Sequence, residues 1–173
     1  MRGLMATLCL TLVALAVTAA NVSAADPIDS LDRFAGTWKS HGTFVDSPYG
    51  KAGPADATTT CVWSNGHTFV ICQQNVTMDG KTNEDIALYT YDPDAKIYRF
   101  FNVRPSKVVP LLITIDGDTV TYPVTFKDSA GQDVTIRTLN VWENPALYRW
   151  RTEYSNDAGK TWIPMASGTS QRQ

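Results

Sequence analysis

The sequence predicts an all-β domain in which an antiparallel meander of about ten strands closes into a barrel after one short helical turn. From Thr37 onward, runs of about six to ten residues rich in Thr, Val, Ile, Tyr, Phe and Trp alternate with turn clusters. Asp79-Gly80-Lys81 and Asp116-Gly117-Asp118 are two of these clusters. No segment after Gly36 sustains the apolar period of a helix. The pattern therefore indicates strands joined by hairpins.

Hydrophobic and polar residues alternate in several of the expected strands. Tyr122 and Val124 share one face of one strand, and Trp150 shares a face with Tyr148 in another. Alternation leaves open which face points inward. A closed barrel hides the edges of so many short strands, and a two-sheet sandwich is the alternative. The expected strands lie near residues 37–45, 57–64, 69–78, 85–92, 96–103, 107–115, 119–126, 133–142, 146–154 and 161–170.

Residues 1–25 have the order of a cleavable secretory signal. Arg2 precedes an apolar run over residues 4–20, and small residues follow at 23–25. A retained membrane anchor is the alternative, because the apolar run is just long enough to span a bilayer. We expect a signal peptide at 1–25, one barrel domain at 26–173, and a secreted or periplasmic protein. Asn75-Val76-Thr77 fits an N-glycosylation acceptor, which matters only in a eukaryotic source.

The charge of the expected mature chain argues against two classes of partner. Loss of Arg2 would leave 14 basic and 17 acidic residues, a net charge of −3. Such a chain has no electrostatic attraction for nucleic acid or for an anionic membrane. No second apolar stretch approaches the roughly 18 residues of a membrane span. The composition predicts a soluble domain with no nucleic-acid partner.

Cys61 and Cys72 would be the two cysteines of the mature chain, and an even count in an exported protein favours a disulfide. A two-residue turn at Asn65-Gly66 would place the pair diagonally, about 7 to 8 Å apart, which is too far for easy bridging. A four-residue loop over 65–68 places them directly opposite each other. The sequence therefore predicts the disulfide together with the longer loop.

Two further segments flank the first strand. In residues 27–35, Ile28, Leu31 and Phe34 are spaced three apart and Gly36 follows as a stop, so we expect a helical turn that caps one end of the barrel. Residues 46–56 contain two Pro, two Gly and one Tyr. This composition predicts one long loop, and it is the best candidate for a lid.

Gly36-Thr37-Trp38 resembles the Gly-x-Trp motif that opens the first strand of lipocalins and their relatives. The resemblance implies that the Trp closes one end of the barrel and that an Arg of the last strand covers it. Arg172 is the residue in that position. Trp38 and Arg172 are therefore the expected barrel-closing pair.

The chain also resembles a family of exported bacterial proteins that are classed only as a domain of unknown function with a lipocalin-like, calycin-type fold. The resemblance covers nearly the whole mature chain, and it implies a fold and a compartment but no reaction. It rests on Gly36-Thr37-Trp38, Cys61-Val62-Trp63 leading to Cys72, Tyr89-Thr90-Tyr91-Asp92 followed by Tyr98, and Gly159-Lys160-Thr161-Trp162.

We expect no metal and no cofactor. A zinc site would need four Cys or His ligands, and residues 26–173 hold Cys61, Cys72, His41 and His67 and no others of these types. Nitrobindin-type haem barrels begin in a similar way, and that resemblance would require an axial His from a late strand. The sequence after His67 contains no His. Both groups are therefore disfavoured.

No catalytic residues are predicted. Most acidic residues fall in turns, where they are solvated turn formers, and the chain has no Gly-x-Ser-x-Gly motif. Glu153 shares a strand face with Arg149 and Arg151. This arrangement fits an external charge ladder better than an internal carboxylate-binding pair.

Five Trp and seven Tyr favour a small-molecule carrier that binds an apolar or amphipathic ligand inside the barrel. A packed barrel that acts through surface contacts is the first alternative, and a cavity enzyme of unknown reaction is the less favoured one. A carboxylate of the ligand would be anchored by one of two arginines. The candidate ligand-binding residues are Tyr89, Tyr91, Arg104, Tyr122, Tyr148, Trp150 and Arg151.

Overall fold

The computed structural model describes residues 26–173 as a closed antiparallel barrel of ten strands behind one short helix. The expected signal peptide, residues 1–25, lies outside the described residues. The predicted all-β barrel is confirmed, and the sandwich alternative is wrong. The elements are a 3-10 helix (Pro27–Phe34), β1 (Gly36–Phe44), β2 (Gly53–Trp63), β3 (Phe69–Met78), β4 (Lys81–Asp92), β5 (Ile97–Arg104), β6 (Lys107–Asp116), β7 (Thr119–Lys127), β8 (Asp133–Asn144), β9 (Leu147–Ser155) and β10 (Ile163–Arg172).

Each strand pairs with its neighbours along the chain, and β1 pairs with β10 to close the sheet. The closing pair runs from Trp38 opposite Arg172 to Phe44 opposite Ala166. Because side chains alternate across each strand, one set of residues fills the barrel and the other faces outward. The interior is therefore built from every second residue of all ten strands.

The helix before β1 has the 3-10 form, and its sequence explains why. A 3-10 helix has three residues per turn, so Ile28, Leu31 and Phe34 all lie on one face. Leu31 and Phe34 are buried in the main core cluster, and Ile28 packs against it. The carboxylate of Asp26 caps the first turn by accepting a hydrogen bond of 3.1 Å from the backbone N–H of Ile28. This helix covers one end of the barrel.

The β2–β3 hairpin has the register that the cysteines required. Cys61 lies directly opposite Cys72, the Cα–Cα distance is 4.0 Å, and the disulfide is formed. The backbone N–H of Ser64 donates to Phe69 O at 2.9 Å, so the loop comprises residues 65–68. The predicted disulfide and the four-residue loop are both confirmed.

Two strands begin earlier than the sequence indicated. β2 begins at Gly53, opposite Phe44, so the long loop covers residues 45–52 rather than 46–56. β4 begins at Lys81 because Asp79 and Gly80, with φ of +50° and +70°, form a two-residue turn. Both extensions lengthen the walls at the end of the barrel opposite the 3-10 helix.

Candidate functional site

The barrel interior is filled at one end and hollow at the other. The 3-10 helix, Trp38 and Trp142 occupy the filled end, where Trp38 is 2% exposed. The other end contains a cavity of about 960 Å³. Its lining combines aromatic, aliphatic and polar side chains, among them Phe44, Gln74, Met78, Asp85, Phe100, Asn102, Arg104, Leu111, Tyr122, Tyr148 and Trp150.

Trp38 and Arg172 lie together at the filled end. The guanidinium carbon of Arg172 is 4.7 Å from the centre of the Trp38 ring. Trp38 Nε1 donates a 2.9 Å hydrogen bond to Phe34 O, and Arg172 Nη2 donates one of 3.2 Å to Arg33 O. These contacts fasten the 3-10 helix to the first and last strands, so this end is closed.

Aromatic rings form the floor of the cavity. The ring centre of Phe100 is 4.9 Å from that of Tyr89 and 5.3 Å from that of Tyr122. The two tyrosine hydroxyls are 3.5 Å apart. Burial raises the pKa of both phenols above the ordinary value of 10.0. The floor is therefore an uncharged aromatic surface with two hydroxyl groups.

Trp150 forms part of the wall, and two glycines make room for it. Gly168 lies opposite Trp150 on β10, and Gly42 lies opposite Gly168 on β1. A Cβ atom added at Gly42 would lie 2.3 Å from Cζ2 of Trp150. The indole therefore packs closely against two residues that have no side chains.

On the polar side of the cavity, the carboxylate of Asp85 partly neutralises the positive charge of Arg104. Arg104 Nε donates a 2.6 Å hydrogen bond to Asn102 Oδ1 and lies 3.4 Å from Asp85 Oδ2. The Asp85 side chain is 12% exposed, and that of Arg104 is 59% exposed. Lys107 lies directly opposite Arg104 across the β5–β6 turn and also lines the cavity. The cavity lining thus includes two cations, Arg104 and Lys107, and two carboxylates, Asp85 and Asp56. Asp56 Oδ1 lies 2.6 Å from Nδ1 of His41.

The loop over residues 45–52 packs against a second group of buried side chains. Tyr49 packs edge-on against Phe126 at 5.6 Å and against Tyr154 at 5.0 Å. A second core cluster of Val134, Tyr154 and Met165 lies beneath it. The β5–β6 turn lines the cavity through Arg104, Pro105, Ser106 and Lys107, whereas Tyr49 does not line it.

The wall of the barrel is open between β6 and β7. Their pairing covers three residue pairs, from Thr114–Thr121 to Asp116–Thr119, whereas every other neighbouring pair of strands has at least seven. In a two-residue hairpin, the two residues that flank the turn are hydrogen-bonded to each other. Counting from them, every second residue of each strand points its backbone N–H and C=O toward the partner strand of the hairpin. Pro110 and Pro123 consequently occupy positions whose N–H would bridge this gap. Proline has no N–H, so the sequence itself prevents the two strands from pairing further.

The structure brings together some of the sequence-predicted site residues and separates others. Four of them line the cavity, and Tyr89 lies at its floor beside a small second cavity. Tyr91 packs against Tyr98 at 4.9 Å and does not line the cavity. Arg151 lies on the outer face of β9, because Trp150 and Thr152 on either side of it point inward. The four cavity-lining residues are Arg104, Tyr122, Tyr148 and Trp150.

Phe100, Asp85 and Asn102 were missed by sequence reasoning. Phe100 and Asn102 share the inward face of β5 with Arg104, so their alternation was a signal for them. Asp85 is the first residue of the strand expected over 85–92 and the fifth residue of the observed β4, where it is buried. It alternates with Ala87 and Tyr89 on the inward face, and this alternation was the available signal.

Among residues 26–173, no three His, Cys, Asp or Glu side chains are grouped as a metal site would require. The described part of the chain also contains no helix that is long and apolar enough to cross a membrane.

No protein-family model matches the sequence, and no curated protein matches it. Among solved structures, the fold is similar to the S-type phycobiliprotein lyase CPES from Guillardia theta, with a TM-score of 0.55 and 11% identity over 84% of this chain and 91% of that chain. It is also similar to Rv2717c from M. tuberculosis, with a TM-score of 0.56 and 12% identity over 86% of this chain and 98% of that chain. These likenesses show the fold alone: a closed barrel of lipocalin-like type.

Proposed function

We propose that this protein binds a small amphipathic organic molecule inside the barrel. The observation that carries the proposal is the cavity of about 960 Å³ with an aromatic floor and a polar mouth that includes Arg104 and Lys107. Ligand sites of drug-sized molecules have volumes of about 300 to 1,000 Å³ and are mostly apolar with a few polar groups. A barrel packed only for stability would fill this space with side chains.

The two sides of the cavity suggest how the ligand is oriented. Its apolar part would lie against Phe100, Tyr122 and Trp150, where no charged group has to be desolvated. Its anionic group would lie at Arg104 and Lys107, because Asp85 neutralises one of these two cations. The ligand class is therefore an aromatic or aliphatic molecule that carries a carboxylate or a similar anion.

We also propose that the protein is exported and that residues 26–173 form the mature domain. The basic, apolar and small-residue order of residues 1–25 supports this proposal. The disulfide supports it independently, since such bonds persist mainly in oxidising compartments. N-terminal sequencing of the protein isolated from its source tests the cleavage site, and retention of Met1 would contradict export by cleavage.

Two neighbouring residues of β7 provide a matched test of the cavity. Val124 lines the cavity, whereas Thr125 is exposed on the outer face. We expect 1-anilinonaphthalene-8-sulfonate to bind the unmodified protein and Thr125→Trp with equal affinity. Val124→Trp fills the cavity and is expected to weaken binding by at least about tenfold. Equal affinity in both variants, with native circular dichroism, would contradict binding in the cavity.

A second pair of variants tests the anion site. Arg104 lines the mouth, and Arg149 lies on the outer face, where it is paired with Glu143. Arg104→Gln is expected to weaken the binding of the anionic probe by roughly tenfold, because one charge-assisted hydrogen bond is lost. The same change leaves neutral N-phenyl-1-naphthylamine unaffected, and Arg149→Gln affects neither probe. Parallel loss of both probes in Arg104→Gln would indicate a damaged cavity rather than an anion site.

A further inference from the structure

A belt of polar side chains crosses the cavity wall between the aromatic floor and the mouth. Gln74 on β3 lies directly opposite Asp85 on β4, and Arg104 on β5 lies beside Asp85, with 3.4 Å between Arg104 Nε and Asp85 Oδ2. Asn102 precedes Arg104 on the inward face of β5. All four side chains line the cavity. We call these four residues the polar belt.

The carboxylate of Asp85 is buried without a hydrogen-bond donor of its own. The residue is 9% exposed, and it points inward between two outward neighbours, Glu84 and Ile86. Arg104 Nε carries a single hydrogen, and it donates this hydrogen to Asn102 Oδ1 at 2.6 Å. Within residues 26–173, no other group donates a hydrogen bond to the Asp85 carboxylate. Its oxygens are therefore free to accept from a molecule in the cavity.

A ligand that fills the cavity displaces the water that can solvate Asp85. A carboxylate that loses this water without gaining a hydrogen bond opposes binding, because a buried charge needs polar partners. A ligand that presents an N–H or O–H group at Asp85 avoids this cost. We therefore expect the ligand to carry a hydrogen-bond donor at this position.

The neighbours of Asp85 in the polar belt are donors. The side-chain amides of Gln74 and Asn102 each have two N–H donors, and neither amide donates to an acceptor in the described chain. The Nη groups of Arg104 also have no acceptor among these residues, and its side chain is 59% exposed. The belt therefore complements a ligand in which a donor lies between a neutral acceptor and an anion.

We infer that the ligand is an N-acylated amino acid. The inference rests on the proposed function, because it names the ligand class of the same cavity. Such a molecule presents a carbonyl oxygen, an N–H group and a carboxylate in that order, with one carbon between the nitrogen and the carboxylate. Gln74, Asp85 and Arg104 present their complements in the same order across β3, β4 and β5.

The acyl chain then extends from the polar belt to the aromatic floor. Asp85 and Tyr89 are both inward residues of β4 and lie four residues apart, which is about 13 Å along a strand. Phe100 lies opposite Tyr89 on β5, four residues before Arg104. The distance suits an acyl chain of medium length, and the carboxylate lies at the mouth, where Arg104 is accessible to solvent.

Isothermal titration calorimetry with two matched compounds tests the inference. N-dodecanoylglycine has the amide hydrogen, whereas N-dodecanoylsarcosine has a methyl group in its place and is otherwise identical. Below the concentrations at which they form micelles, we expect the glycine compound to bind the unmodified protein at least about tenfold more tightly, as a hydrogen bond to a charged group predicts. Equal affinities, or tighter binding of the sarcosine compound, would overturn the inference.

Variants of Asp85 show whether this carboxylate is the acceptor. Asp85→Leu is expected to bind the two compounds equally. Asp85→Asn keeps the size and an acceptor oxygen but loses the charge, so we expect its preference to fall to about threefold. Glu84→Leu removes a carboxylate from the outward neighbour on the same strand, and it should keep the full preference. A full preference in Asp85→Leu or Asp85→Asn with native circular dichroism would overturn the inference, because the methyl group would then be excluded by another part of the cavity.

The titrations separate this inference from the proposed function. Binding of 1-anilinonaphthalene-8-sulfonate in the cavity, together with equal affinities for the two acyl compounds or no binding of either, would overturn the ligand class alone. No binding of any of the three compounds would overturn the inference and the proposed function together.

Discussion

Trp150 packs closely against Gly168, and the missing side chain at Gly168 makes room for its indole in the cavity wall. A Cβ atom at Gly168 would lie 2.5 Å from Cζ2 of Trp150 and 2.3 Å from the backbone oxygen of His41. The first of these atoms belongs to a side chain that would have to move toward the cavity. The second belongs to the backbone of β1, which is fixed by pairing on both sides. The position therefore accepts glycine alone without a rearrangement.

Gly168→Ala is expected to destabilise the protein by about 2 kcal/mol or more, because overpacking forces the backbone and the indole apart. Urea denaturation followed by circular dichroism measures this change. Gly66→Ala is the control: its nearest atom would be Thr68 Cγ2 at 3.8 Å, so we expect a change within about 0.5 kcal/mol. Equal stability of the two variants would contradict the close contact.

Hydrogen exchange should show the gap between β6 and β7 residue by residue. The amides of Leu112 and Thr125 face the gap, whereas the amide of Leu111 faces β5 and that of Val124 faces β8. We expect the two gap-facing amides to exchange at least about a hundredfold faster than their neighbours, as unpaired backbone groups do. Uniform protection along β6 in nuclear magnetic resonance spectra would contradict the open wall.

The buried tyrosines predict an alkaline limit to stability. Burial raises the pKa of Tyr89, Tyr122 and Tyr148 above 10.0, so the folded protein keeps protons that the unfolded chain releases above that pH. Their contribution to stability is complete below pH 10 and falls as the pH rises further. A tyrosinate absorbance titration is expected to show these three phenols ionising together with loss of the native circular dichroism. Ionisation of all seven tyrosines near their ordinary pKa in a folded protein would be incompatible with the packed floor.

Removal of the disulfide is expected to lower the free energy of unfolding by about 2 to 3 kcal/mol. The reason is that the disulfide closes a short loop and so reduces the conformational entropy of the unfolded chain. Cys61→Ala/Cys72→Ala and the reduced unmodified protein should have the same urea midpoint, below that of the oxidised protein. An unchanged midpoint would show that the hairpin is held by pairing alone.

Local signals in the sequence were sufficient to predict the fold. Alternation and turn clusters predicted ten strands, and the 11-residue separation of the cysteines selected the right hairpin loop. Ile28, Leu31 and Phe34 predicted the covering helix because their spacing equals the period of a 3-10 turn. In each case the signal lies within a few residues, where geometry allows few alternatives.

The site was harder to predict because it depends on relations between distant strands. Alternation could not tell which face points inward, so Trp150 and its outward neighbour Arg151 were both candidates. The hollow space arises where Gly42 and Gly168 meet Trp150, and these residues lie far apart in the chain. Pro110 and Pro123 did carry a readable signal for the wall opening, but its meaning appears only once β6 and β7 are neighbours.

Native mass spectrometry of the protein isolated from the cells that produce it tests the central claim, ligand binding in the cavity, most directly. We expect one non-covalent ligand for each chain, lost on denaturation, retained by Thr125→Trp and absent from Val124→Trp, which fills the cavity. A bare protein mass in every variant, together with no binding of 1-anilinonaphthalene-8-sulfonate to the unmodified protein, would contradict the claim.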